Sequence, residues 1–345
     1  MSAWRELWNI CFPEDSEEYL EYYQEYKISK NEVFTTYREG VPVSMLQLNP
    51  YRIHLYGKEV PASYIVGVAT RPEARHQGLM RDHLRHAARK EREKGRTFQY
   101  LMPADPAIYL PFDYRFWYTQ ERFEPHLPVE EDWFVDDWNF WSTMTDIQKL
   151  IALSWVNFLL YQNMDVYTAR DAAYYDDLTA ECNACGGDVM FVFRKERVIG
   201  AFAYFLEDET LTLLDAFCED ETVYRQLLGA LKGKYQKVEI LDARWCAGEG
   251  ERYEKPIIMV RILDPIGFVS MLRSKTENAM TFALIDPFLP ENDGCYEVVL
   301  GKEQCSARKI EASGELPCFH RAIWRSGFFK GSDPGFVSMK SSEST

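Results

Sequence analysis

Tyr64-Ile-Val-Gly-Val-Ala-Thr70-Arg-Pro-Glu-Ala-Arg75-His-Gln-Gly78-Leu-Met-Arg81 is the most informative stretch of this chain. It opens inside a short apolar strand, Ser63–Thr70, which is rich in β-branched residues and stopped by Pro72. A basic loop with one glycine follows, and then the start of a helix. The first N–H groups of a helix have no partner within it, and the helix dipole makes its N-terminus favour an anion. Gly78 lets the backbone come close to a ligand, and Arg75 and Arg81 can neutralise charge at the rim. A strand, a loop and a helix start of this kind suit a pyrophosphate.

Working outward, Leu79 to Lys94 is predicted to be a helix. Leu79, Met80, Leu84, Ala87 and Ala88 fall on one side of it. Arg89, Lys90, Arg92 and Lys94 crowd its last turns, and Gly95 stops it. Thr97–Met102 is the next strand, so the order strand–loop–helix–strand implies a parallel or mixed sheet with a right-handed crossover. Upstream, helices are predicted at Trp4–Phe12 and Glu17–Tyr26, and strands at Glu32–Tyr37 and Val43–Leu48 around a Glu39-Gly40 turn. Downstream, the acidic, tryptophan-rich stretch Glu124–Trp141 marks a boundary. The early order then recurs, with a helix at Ala172–Cys185, strands at Val189–Arg194, Val198–Leu206 and Thr210–Cys218, and a helix at Glu221–Tyr235. A third segment from Pro256 carries a strand at Ile257–Ile262, a helix at Pro265–Arg273, and strands at Thr281–Ile285, Tyr296–Leu300 and Ser306–Ile310. The expected units are 1–130, 131–255 and 256–339, followed by a polar tail at 340–345.

The chain has 345 residues, of which 46% are hydrophobic and 15% aromatic, enough for two or three packed domains. Its formal net charge of -15 argues against nucleic acid or an anionic membrane as the main partner and favours a cationic or neutral substrate. There is no signal-peptide pattern, no apolar run long enough to span a membrane, and too few cysteines for a disulfide scaffold. A cytoplasmic protein with reduced thiols is expected. No metal site is expected either, because Cys182-x-x-Cys185 has no second pair at ligand spacing. His83 and His86 lie along the motif helix, where packing or surface roles suit them. Trp133, Trp138 and Trp141, interleaved with Glu130, Glu131, Asp132, Asp136 and Asp137, fit either a pocket for a cationic amine or a linker packed between domains.

Arg75-His-Gln-Gly78-Leu-Met80 resembles motif A of the GNAT acetyltransferases, Arg/Gln-x-x-Gly-x-Gly/Ala, with Met80 in place of the second small residue. Leu101-Met-Pro-Ala-Asp105-Pro-Ala-Ile-Tyr109 follows the next strand, where the sheet of that fold splays and a thioester arm would lie. Tyr109 there could protonate a leaving thiolate. Together these segments resemble the enhanced intracellular survival (Eis) family. That resemblance implies an α+β chain of tandem GNAT-like domains, the first active and the second degenerate, followed by a sterol carrier protein-like α+β domain and assembled as a homo-oligomer. It implies acetyl-CoA as co-substrate, with Val68, Ala69 and Thr70 pairing their backbone with the pantetheine arm. His76, Gln77, Gly78, Leu79, Met80 and Arg81 would cradle the pyrophosphate, Ala104 and Asp105 would border the arm, and Tyr109 would be the general acid. The family takes its base from the C-terminal carboxylate, whereas Lys340–Thr345 is polar and offers no apolar anchor. By the same resemblance the acceptor is the primary amine of a small polycation, aminoglycoside-like or a polyamine. Lysine acetylation on proteins and a non-catalytic acyl-CoA sensor are the alternatives.

Overall fold

The computed structural model describes residues 2–126 and 136–311 and the backbone of residues 318–320. Three antiparallel strands, β1 (Glu32–Arg38), β2 (Val41–Leu55) and β3 (Lys58–Thr70), lead into a loop. The chain then forms α3 (Leu79–Glu93) and returns as β4 (Phe98–Leu101), parallel to β3. The two faces of this sheet are covered differently. Against one, α3 buries Leu84, Ala87 and Ala88 on Leu46, Leu48, Ile65 and Leu101. Against the other, α1 (Ala3–Cys11) buries Trp4, Leu7 and Trp8 with Met45 and Ala69, and α2 (Glu17–Tyr22) adds Leu20 and Tyr22. At roughly 1.5–3 kcal/mol per large apolar side chain, this burial is what fixes the motif helix on its sheet.

The same order recurs in the second half. After α4 (Pro106–Tyr109), β5 (Arg115–Pro125), β6 (Asp137–Phe140), α5 (Asp146–Asn163), β7 (Val166–Thr168) and α6 (Ala172–Ala184) comes a second antiparallel trio. It consists of β8 (Asp188–Arg194), β9 (Arg197–Glu207) and β10 (Thr210–Cys218); α7 (Glu221–Ala230) then leads to β11 (Lys237–Leu241), parallel to β10. Together with β12 (Gly250–Ile262), both halves lie in one sheet, in the order β1-β2-β3-β4-β12-β5-β11-β10-β9-β8-β6, with β7 added beside β2. The centre is a reciprocal exchange. Strand β5, made just after the first half, pairs with β11 of the second; β12 (Gly250–Ile262), made after the second half, pairs with β4 of the first.

Pro256–Ile262, read from the sequence as the opening of the third unit, therefore runs inside the large sheet between β4 and β5. Beyond it lie α8 (Pro265–Ser270) and a four-stranded sheet of β13 (Asn278–Ile285), β14 (Gly294–Leu300), β15 (Ser306–Ile310) and β16 (Cys318–His320). Arg261 on β12 ties this part to the first half. Its buried guanidinium reaches Asp113 at 2.9 Å and also Asp286, whose carboxylate accepts from Leu289 N–H and the Asn292 amide at 3.0 Å each. Phe336–Met339 and the polar tail lie outside the described residues.

Candidate active site

Strands β3 and β4 pair only at Ser63/Gln99 and Tyr64/Tyr100, although β3 runs on to Thr70. Past Tyr64 the two strands part, leaving one edge of β3 facing an opening. A register shift against β2 between Met45 and Gln47 puts a bulge in β3 at the same level. Its cause is Gly67, at φ +58, lying so close under Trp8 and Gln47 that an added Cβ would meet them at 2.9 and 3.0 Å. The bulge bends the strand and turns backbone groups out of the ladder. Val68 packs on the α3 side and Ala69 on the α1 side, and the Thr70 hydroxyl bonds that of Ser44 at 2.9 Å. These three residues are therefore available to a ligand through their main chain.

The loop end of α3 lies beside this opening. His76 (φ +61) and Gly78 (φ +81) both take the left-handed conformation, which turns successive N–H groups inward as an anion nest. Among the described residues, no backbone carbonyl accepts from the N–H groups of His76 to Arg81; the first helical bond runs from Asp82 N–H to Gly78. The Arg81 guanidinium lies over Gly78, at 2.8 Å from where a Cβ would stand. It pairs with Asp82 at 3.0 Å, but both partners are exposed, so little holds it from an incoming anion. Arg75 is exposed and donates to the Thr70 carbonyl at 3.2 Å, and Gln77 donates to that of Glu73, also at 3.2 Å. Met80 faces away from the nest, part-buried against the core beneath α3, so the substitution in the motif fills a packing position.

Tyr109 closes the short helix α4, which Asp105 caps by accepting from Ala107 N–H at 2.8 Å. Asp105 and Ala104 are exposed at the end of β4. Tyr109 itself is buried in the cluster that also holds Val68 and Met80, with its ring edge-on to Tyr114 at 5.9 Å. Burial pushes its phenol up to about 12. The fold thus gathers main chain from β3, the nest on α3 and a protonated phenol around one opening. His83, buried and hydrogen-bonded to Thr36 at 3.1 Å, is a packing residue; desolvation lowers its pKa.

Residues 1–117 match the family described as acetyltransferase (GNAT) domain. The likeness to a GNAT domain thus lies in the N-terminal unit. The chain as a whole is similar in fold to a probable N-acyltransferase, a conserved protein of unknown function from Enterococcus faecalis V583, at TM-score 0.69 and 15% identity over 89% of this chain and 82% of that one. It is similar to Eis1 from Mycobacterium abscessus at TM-score 0.57 and 12% identity over 81% and 75%, so the likeness to Eis is distant. It is also similar to a tandem GNAT protein from the clavulanic acid biosynthesis pathway, at TM-score 0.50 and 11% identity over 76% and 94%. No curated protein matches.

The second copy differs from the first at the place that would hold phosphate. Only Glu219 and Asp220 separate β10 from α7, so there is no loop to form a nest. The Asp220 carboxylate fills the helix N-terminus, accepting from Thr222 N–H at 2.9 Å, with Glu219 and Glu221 on either side. A pyrophosphate would be repelled there. Asp220→Ala should cost about 1 kcal/mol of stability, as lost caps do, and create no second cofactor site. Calorimetry with coenzyme A should return one site per chain for both proteins, and a second site in the variant would contradict this account.

Other candidate residues lie away from the opening. Cys182 is buried and Cys185 half-buried, and burial pushes both thiols up, Cys185 to about 11, so neither is a reactive thiolate. Among the described residues no group of three or more potential ligands could hold a metal ion. No described helix is long and apolar enough to cross a membrane. Trp138 stacks on Phe202 and Trp141 packs on Tyr175 and Phe191, which makes these two tryptophans core of the second copy; Trp133 lies outside the described residues. Sequence reading missed Gly67, whose position inside a strand pattern is itself a bulge signal. It also missed Tyr64 and Tyr100 at the apex of the splay.

Proposed function

We propose that this protein transfers the acetyl group of acetyl-CoA to the primary amine of a small cationic acceptor. The observation that carries the reading is the coincidence of the β3–β4 splay with the unpartnered N–H groups of His76 to Arg81. The thioester is the activated acyl donor. The nest and α3 N-terminus hold the pyrophosphate, with Arg75 and Arg81 balancing its charge. The free edge of β3 pairs with the pantetheine arm, and a main-chain N–H near Val68 polarises the acyl carbonyl. The neutral amine attacks that carbonyl, its nitrogen passes a proton to water, the carbon–sulfur bond breaks as Tyr109 gives its phenolic proton to the departing sulfur, and the phenolate regains a proton from solvent. An acyl-CoA sensor would need no such phenol, which favours turnover over sensing.

Release of free thiol from acetyl-CoA tests the reading, with mono- and polyamines, aminoglycosides and lysine peptides as acceptors. No thiol release with any amine, while coenzyme A binds, would reject it. The charge of -15 supports a polycationic acceptor of the aminoglycoside or polyamine type and makes a separate prediction. If the charge steers the acceptor, kcat/KM for a polyamine should fall between low and high salt more steeply than for an amine uncharged at the assay pH. Equal salt dependence would leave the charge a solubility role only.

A further inference from the structure

Tyr109 lies beyond the last rung of the β3–β4 ladder, at Tyr64/Tyr100, so pairing with β3 does not fix its distance from the nest. Its own turn is tight. Asp113 takes a left-handed φ of +68 and donates its N–H to the Leu110 carbonyl at 3.1 Å, and Tyr114 N–H reaches back to the Tyr109 carbonyl at 3.4 Å. Residues from much later in the chain anchor this turn from outside. The Asp113 carboxylate accepts from Arg261 on β12 at 2.9 Å, and the Phe112 ring lies 5.7 Å from that of Phe288, between β13 and β14. Arg261 stands opposite Gln99 on β4, whose side-chain amide bonds the Tyr114 hydroxyl.

Residues 286–293 make a second link, to the motif helix. Their shape is fixed by the Asp286 carboxylate, which Arg261 holds and which accepts from Phe288 N–H at 3.2 Å and from Leu289 N–H and the Asn292 amide at 3.0 Å each. The loop runs along α3. Arg85 donates to the Phe288 carbonyl at 3.2 Å, Arg89 pairs with Glu291 at 3.3 Å one turn further on, and Arg92 bonds both the Leu263 carbonyl, at 2.8 Å, and the Asn292 side chain. Phe288 is fully buried, with the guanidinium groups of Arg85 and Arg261 each 5.3 Å from its ring centroid. Leu289, also fully buried, belongs to the cluster that holds Tyr109, Val68 and Met80. One internally bonded loop thus touches both the helix that begins at the nest and the turn that carries Tyr109.

A catalytic group works only when held within about 0.5 Å of its productive position, and an error of about 1 Å can cost roughly a hundredfold in rate. We propose that residues 286–293 and Arg261 form a brace that fixes Tyr109 against the nest, with Arg261 and Phe288 as positioning residues for the proton transfer. Both act through the turn at residues 110–113 rather than on the substrate. This rests on the transferase reading with Tyr109 as its acid, and it gives the part of the chain beyond β12 a task in the chemistry of the first half.

The test is a double-mutant cycle on the full chain, read as thiol release from acetyl-CoA with the fastest acceptor among the amines, aminoglycosides and lysine peptides named above. Arg261→Lys keeps a charge between Asp113 and Asp286 but loses the planar fork that spans them. Phe288→Leu takes the ring away from Phe112 and leaves the charges alone. Each should lower kcat by about tenfold or more and keep the KM of acetyl-CoA within twofold, because Arg85 and Arg92 still hold α3. In a Tyr109→Phe background the same substitutions should change kcat less than twofold, since the donor they position is gone. A purely structural loss would lower kcat equally in both backgrounds. Melting curves verify folding, and the two variants act by different means, so either one decides if the other misfolds. Equal losses with and without the Tyr109 hydroxyl, or a kcat within twofold of wild type in a folded variant, overturn the brace and leave the transferase reading standing. A Tyr109→Phe protein as fast as wild type, or no thiol release with any acceptor, rejects that reading and the brace with it.

Discussion

Gly78→Glu is expected to abolish coenzyme A binding in a protein that still folds. Two effects act together. Gly78 sits at φ +81, where a residue with a Cβ costs roughly 1–2 kcal/mol. The new carboxylate would also project into the nest formed by the N–H groups of His76 to Arg81. Two like charges about 4 Å apart repel by roughly 4 kcal/mol at a protein-surface dielectric, which is about a thousandfold in affinity. Gly78→Ala separates the two, since it keeps the strain and omits the charge, and should weaken binding by about tenfold or a little more. The position is exposed enough at the loop end for either variant to fold, as circular dichroism and melting would verify. Calorimetry with coenzyme A reads the outcome. Affinity within threefold of wild type for folded Gly78→Glu would move the pyrophosphate elsewhere.

Tyr109→Phe should leave cofactor affinity in place and lower kcat by about 10²–10⁴-fold, the usual contribution of a general acid. The ring stays against Tyr114, so packing is preserved and only the proton is lost. The KM of acetyl-CoA should hardly move, because the lost interaction matters chiefly in the transition state. The pH profile carries a second signature. With the phenol pushed up to about 12 by burial, Tyr109 keeps its proton throughout the ordinary assay range. The rate should therefore rise with pH as the acceptor amine loses its proton, and show no fall from Tyr109 ionising below about pH 11, one unit short of that value. A kcat within threefold of wild type in Tyr109→Phe would make the residue a packing aromatic.

The motif helix was legible because its apolar residues recur on one side and the sheet needs only one of its faces. Gly78 was legible because a glycine between a strand and an amphipathic helix has few other uses. Helix α5 escaped notice for the opposite reason. Ala152, Val156 and Leu160 are buried on its inner side, but Ile147, Leu150 and Phe158 are exposed on its outer side, so apolar residues surround the helix and no stripe remains. The recurrence of the strand order was readable because both copies keep the same alternation of short apolar strands. The place of β12 was not, since its partners β4 and β5 are far away in the chain and no local pattern records a long-range pairing.

The crossing of β5 and β12 also sets a schedule for the growing chain. Strand β4, beside the cofactor opening, receives its second neighbour only when residues 250–262 have been made, well over a hundred residues later. At 5–20 residues per second that delay is roughly ten seconds or more, during which one edge of β4 stands bare on the ribosome. A bare strand edge invites pairing with other chains. Segments such as Glu249–Lys255, charged and slow to collapse, suit a strand that must arrive late and thread between two edges already waiting. Tandem domains that fold as separate beads can be cut apart and studied singly. Here a shortened gene ending after β11 would yield a first copy with an open seam, and its natural companion in solution would be another chain with the same seam.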